Sequence, residues 1–242
     1  MKAYQKISIK ECGEPLIAIP LDKFIIEFPP PYQKLGADYG DKSPYYLREG
    51  VLDALIKAQE YLQMINHSWK IKIFDAYRPL QVQQFMVDYT FNLILQEQGL
   101  KGEDLTLEIR EVILAKVYQF WAIPSDNPAT PPPHSTGAAV DVTLVDEEER
   151  NINMGGEIDE VAEISYPNFY ENSSDLRQQE YHYHRVLLNQ IMEYAGFLRH
   201  PNEWWHFSLG DQLWVWLYNQ RQVTGDEKKL DFARYGGVGI RD

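Results

Sequence analysis

Two histidines and an aspartate stand where metal ligands could: His134, Asp141 and His206. His134 opens the stretch His-Ser-Thr-Gly-Ala-Ala-Val-Asp-Val-Thr-Leu, which follows the rigid run Pro131-Pro132-Pro133. Gly137 permits a turn that a residue with a Cβ would resist. Beyond it Ala138, Val140, Val142 and Leu144 alternate with Ala139, Asp141 and Thr143, a period of two that reads as a strand with one apolar face. Asp141 falls on the other face. A carboxylate in an otherwise apolar strand is costly unless paired or bound to a metal. A histidine at the mouth of that strand is a natural co-ligand, and imidazole with carboxylate suits Zn²⁺. His206, in Glu203-Trp204-Trp205-His206-Phe207, is the candidate third ligand. Three ligands leave one tetrahedral position open for water. Glu203 precedes His206 by three residues, and in a regular strand the two would face opposite ways. The reading therefore needs Glu203 in the turn begun by Pro201-Asn202, or at a bulge. There it would take a proton from water and hand it to a leaving group. Arg78, in Asp75-Ala76-Tyr77-Arg78-Pro79, would stabilise an oxyanion.

These residues need elements to hold them. Residues 48 to 66 follow a 3.6 period through Val51, Leu52, Leu55, Ile56, Leu62 and Ile65 and predict a helix. Lys70-Ile71-Lys72-Ile73 alternates as a strand. Pro79 disfavours helix at Arg78 and can occupy the first turn of the next helix, so Arg78 sits at a strand-to-helix junction. Further helices are expected at about 80 to 98, 105 to 122 and 176 to 195, with Gly196 as the C′ residue of the last. The strand 203 to 207 follows. Residues 1 to 47, rich in Pro, Gly and Tyr, read as a wrapping segment with one short strand, and 210 to 242 as a C-terminal tail.

The chain of 242 residues is 44% hydrophobic, ample for a core. Its net charge of -13 argues against nucleic acid and anionic membrane surfaces as partners. The single cysteine, Cys12, cannot form an internal disulfide, which fits a reducing compartment. No signal peptide and no membrane-spanning run is apparent, so a cytoplasmic protein is expected.

The motif His-x-x-Gly-x-Ala-x-Asp (134 to 141) and Glu-x-x-His (203 to 206) resemble those of the zinc-dependent D-alanyl-D-alanine dipeptidases. These are relatives of the D,D-carboxypeptidases and include the vancomycin-resistance dipeptidases. Asp-Ala-Tyr-Arg-Pro (75 to 79) is similar to the family's arginine element, and Met-Gly-x-x-Ile-Asp (154 to 159) to its Met-Gly-x-x-Phe-Asp element. The resemblance runs in order from about residue 50 to 209. It implies one zinc per chain on His134, Asp141 and His206, Glu203 as general base and acid, and Arg78 as the transition-state group. It implies that Asp159 receives the free amino group of a small dipeptide substrate. It also implies a single α+β domain over 1 to 242, with a central, largely antiparallel sheet, helices packed around it and a zinc cleft at one end. Two departures touch specificity. Pro132, which lacks a hydroxyl and an N–H, replaces the serine that helps hold the substrate carboxylate, and the pocket-lining N-terminal tyrosine is either Tyr32 or Tyr39. The activity implied is hydrolysis of D-alanyl-D-alanine. The alternatives are a D,D- or L,D-carboxypeptidase acting on longer cell-wall peptides, and a non-catalytic zinc-binding module.

Overall fold

The computed structural model describes residues 2–101, 105–221 and 229–239. Its N-terminal part holds the short strands β1 (Ser8–Ile9), β2 (Leu16–Ala18) and β3 (Ile25–Ile26), helix α1 (Pro31–Lys34) and strand β4 (Tyr46–Arg48). This is more regular structure than the one strand expected of the wrapping segment. Helix α2 (Glu49–Ile65), strand β5 (Lys70–Asp75), helices α3 (Leu80–Glu97) and α4 (Leu107–Phe120) and strand β6 (Ala139–Val145) follow. Helix α5 (Leu176–Tyr194), strands β7 (Leu198–Arg199) and β8 (His206–Ser208), helix α6 (Gln212–Arg221) and strand β9 (Phe232–Ala233) complete the order. The stretch expected to be a tail thus contains a helix and a strand. Part of that stretch lies outside the described residues.

The fold is mixed α+β. A five-stranded sheet runs β3-β5-β6-β8-β7, and two-stranded pairs β1-β9 and β2-β4 lie apart from it. β5, β6, β8 and β7 pair antiparallel, but β3 joins β5 in parallel. The expected antiparallel pattern therefore fails at that edge. The cause is topological: α1, β4 and α2 intervene between β3 and β5, and such a long connection can return a strand in the same direction.

β6 is buried on both faces along its whole length. Val140, Val142 and Leu144 join a core with Ile71 and Ile73 of β5, Leu55 and Leu62 of α2, and Leu188 and Ile191 of α5. The opposite face carries Asp141. On β5 the register slips between Ile73 and Asp75, which pair with Val142 and Asp141 in turn. In a regular strand Asp75 would share the face of Ile71 and Ile73. The bulge re-aims it beside Asp141. A second apolar cluster, made by Val82, Met86 and Phe91 of α3 with Ile113 and Val117 of α4, includes Tyr32 and Trp121 and backs the site from the other side. Among the described residues, no helix is long and apolar enough to cross a membrane.

Candidate metal centre and active site

Asp141 lies opposite Asp75 on one side and His206 on the other, because β6 sits between β5 and β8. His134 arrives from a 3-10 turn, Pro133–Thr136, that ends on Gly137 at φ 70°. A Cβ at Gly137 would collide with the Leu16 side chain, so glycine meets both a conformational and a steric need there. The turn delivers His134 to the edge of Asp141: His134 Nε2 is 3.2 Å from Asp141 Oδ2. His206 Nδ1 is 3.1 Å from Asp141 Oδ1 and 3.0 Å from His134 Nε2. His134, Asp141 and His206 form a cluster suited to a metal ion, with ligand atoms all within 4.8 Å of one another.

The hydrogen bonds around this cluster assign its ring tautomers. His134 Nδ1 is 2.7 Å from the Ala76 carbonyl, which can only accept, so Nδ1 carries the proton. Ser208 Oγ donates to Asp211 Oδ2 at 2.9 Å and is therefore free to accept from His206 Nε2, at 3.3 Å. The two ring atoms that face each other, His134 Nε2 and His206 Nδ1, are thus both lone pairs. Between them Asp141 Oδ1 is buried without a hydrogen-bond donor. Two imidazole lone pairs and a carboxylate oxygen converging in a buried place repel one another unless a cation lies among them. The donor set fits a divalent ion of the zinc type.

Glu203 lies at the end of the turn before β8, its N–H donating to the His200 carbonyl. Its Oε2 is 3.7 Å from His206 Nδ1 and its Oε1 is 3.4 Å from His200 Nδ1. Burial pushes its carboxyl well above the usual value, and the neighbouring charges of Asp141 and Asp159 add to this. Burial likewise lowers His206 to about 4 and holds His200 well below the ordinary histidine range. A cation at the centre would favour the ionised form of Glu203.

Arg78 is fixed from all sides. Its guanidinium donates to Asp75 at 3.0 Å, Gln83 at 2.9 Å, the Tyr32 hydroxyl at 2.8 Å and Asp141 at 3.3 Å. It also lies over the rings of Tyr32 and Trp121. The ion pair with Asp75 and the reach to Asp141 coexist, so the arginine is both anchored and aimed. The Tyr32 hydroxyl donates to Asp159 Oδ2 at 2.9 Å. Tyr39 donates to Asp75 at 3.2 Å instead. Of the two tyrosines left open by the sequence, Tyr32 is therefore the one joined to Asp159. Asp159 has φ 67°, a left-handed backbone that aspartate adopts more readily than most residues with a Cβ. Burial and the charge of Asp141 raise its carboxyl.

One cavity is lined by His134, Asp141, His206, Glu203, Arg78 and Asp159 together. All six residues singled out in the sequence therefore meet. Sequence reading missed Asp75, Gln83, His200, Tyr32's exact tie and two N-terminal residues, Lys2 and Tyr4, that share the wall. Asp75 was within reach, as a carboxylate three residues before Arg78. Tyr32, Lys2 and Tyr4 come from distant segments and carried no local signal, while Gln83 and His200 stand near Arg78 and Glu203 in the chain without a pattern that marks them.

A family model described as D-ala-D-ala dipeptidase, of the peptidase M15 group, matches residues 27–226. The chain is 54% identical over 244 aligned residues to a D-alanyl-D-alanine dipeptidase of Synechocystis sp., covering 98% of this chain and 97% of that one. It is 42% identical over 76 residues to a D-alanyl-D-alanine dipeptidase of Escherichia coli, covering 31% of this chain and 37% of the other. Among solved structures, the LdcB LD-carboxypeptidase aligns over 84% of this chain and 72% of its own, with 18% identity and a TM-score of 0.43. The vancomycin-resistance D,D-pentapeptidase VanY in complex with Zn(II) aligns over 86% and 88%, with 13% identity and a TM-score of 0.41.

Proposed function

Because the chain belongs to the D-ala-D-ala dipeptidase family of metallopeptidases, we propose that it hydrolyses the free dipeptide D-alanyl-D-alanine to two molecules of D-alanine. The observation that carries the reading is the convergence of two imidazole lone pairs and the donor-less Asp141 oxygen beside Glu203. We assign one zinc ion per chain to His134, Asp141 and His206. Bound there, it would polarise the amide carbonyl and acidify water.

The residues supply the rest. Glu203 takes a proton from the attacking water and delivers it to the leaving amine nitrogen. Its burial beside other carboxylates gives it the proton affinity that the second transfer needs. Arg78, held rigid by Asp75, Gln83 and Tyr32, sets a fixed positive charge against the oxyanion. Asp159 receives the substrate ammonium and is oriented by Tyr32. A carboxylate at that depth excludes a longer peptide, whose amino end lies elsewhere. A cytoplasmic place of action and a single catalytic domain over 1 to 242 fit a small, free substrate.

The test compares D-Ala-D-Ala with N-acetyl-D-Ala-D-Ala, using zinc-loaded protein. Cleavage of the free dipeptide alone is the expected result. Cleavage of the acetylated peptide would remove Asp159 from its role and move the protein to the carboxypeptidases. Cleavage of neither by a zinc-replete protein would favour a binding module.

A further inference from the structure

A dipeptide is a zwitterion, and the proposed site answers only one of its ends. Asp159 meets the ammonium. The carboxylate at the far end needs a cation or an array of donors, since burying it unpaired is costly. Arg78 is already engaged by Asp75, Gln83, Tyr32 and Asp141. The wall near His134 is made by Pro133, which has no N–H, and Pro132 beside it has none either.

Among the described residues, the remaining cation lining the cavity is Lys2. It caps the 3-10 turn Ala3–Lys6, whose Tyr4 is buried and lines the same cavity. The Lys2 backbone N–H is tied to Gln5 Oε1 at 2.8 Å, which fixes the start of the turn. Its ammonium forms no ion pair among the described residues. Lys2 and Glu203 line the same cavity; burial lowers the lysine's pKa and the Glu203 carboxylate opposes that shift. The cavity is partly open to solvent, and a lysine on a four-carbon stem can turn within it toward a bound carboxylate.

We propose that Lys2 binds the C-terminal carboxylate of the dipeptide, so that Lys2 and Asp159 measure the substrate from its two charged ends. The inference rests on the dipeptidase reading above. It makes the N-terminal turn a part of the specificity apparatus.

The experiment measures kcat and KM for D-Ala-D-Ala and for its carboxamide, D-Ala-D-Ala-NH₂, in the wild type, Lys2→Met and Lys2→Arg. Lys2→Met should raise KM for the free-carboxylate dipeptide by about tenfold or more, the worth of one charge-assisted hydrogen bond. It should leave the carboxamide's kcat/KM near the wild-type value, and Lys2→Arg should restore most of the loss. Unchanged kinetics in Lys2→Met would overturn the proposal. So would a parallel change on both substrates, which would make Lys2 a tuner of Glu203 or a structural residue. A wild type that cleaves neither substrate would sink the dipeptidase reading and the role of Lys2 with it. An active wild type with an indifferent Lys2→Met sinks the role of Lys2 alone.

Discussion

Glu203 is the residue on which the proposed chemistry turns, and its place was readable from a conflict. Three residues before His206, it could face the same cleft only from a turn or a bulge, and it lies at the end of a turn closed by its N–H on the His200 carbonyl. Replacing it by glutamine keeps its shape and removes its proton transfer. Glu203→Gln should lower kcat on D-Ala-D-Ala by about 10²–10⁴-fold while zinc content stays at wild-type level. The paired measurement is steady-state kinetics with elemental analysis of the purified protein, and a variant retaining near wild-type kcat would remove Glu203 from proton transfer. The proposed ligands were legible for a different reason: a carboxylate on an apolar strand with a histidine at its mouth is expensive, and the cost shows in the pattern. Tyr32 and Lys2 were not legible in these roles, because one chain's spacing does not reveal which distant segments meet. Asp75 and His200 lie three residues from Arg78 and Glu203, and only the local fold shows that the pairs face each other.

At the scale of elements, the long helices were legible because burial on one side imposes a 3.6-residue period. The expected helices at 48 to 66, 80 to 98 and 176 to 195 end within a residue or so of α2, α3 and α5. Strands β1, β7 and β9 have two residues each, too few to display an alternation. Helix α6 mixes Leu213, Trp214, Val215, Trp216 and Leu217 without a clear polar face, so its segment passed for a tail. The alternation in β6 was read correctly, but not its burial on both faces, since Asp141 is covered by Arg78, which packs against Tyr32 and Trp121. The turn before β6 offers the sharpest test at this scale. Gly137→Ala would place a Cβ against Leu16 in a left-handed backbone. It should cost about 1–3 kcal/mol in urea unfolding, and it should weaken zinc binding because His134 rides on the same turn. A variant with unchanged midpoint and unchanged zinc affinity would show that the turn does not position the ligand.

At the scale of the molecule, the mixed sheet serves as a frame in which three adjacent strands each contribute to one spot. β5 brings Asp75, β6 brings Asp141 and β8 brings His206. A cation held by His134, Asp141 and His206, which meet only when the strands are assembled, must stabilise the whole fold. Zinc at a thousandfold excess over its Kd should raise unfolding stability by about 4 kcal/mol relative to chelator-treated protein. Thermal scans at graded zinc concentrations check this, and a melting temperature insensitive to zinc would argue against a shared site. The most direct test is X-ray absorption spectroscopy at the zinc edge on zinc-loaded wild type and Asp141→Ala. One zinc per chain is predicted, with two imidazole nitrogens and carboxylate oxygen at about 2.0–2.2 Å, and with stoichiometric binding lost in the variant. Zinc bound by a different ligand set, or held equally well without Asp141, would contradict the account.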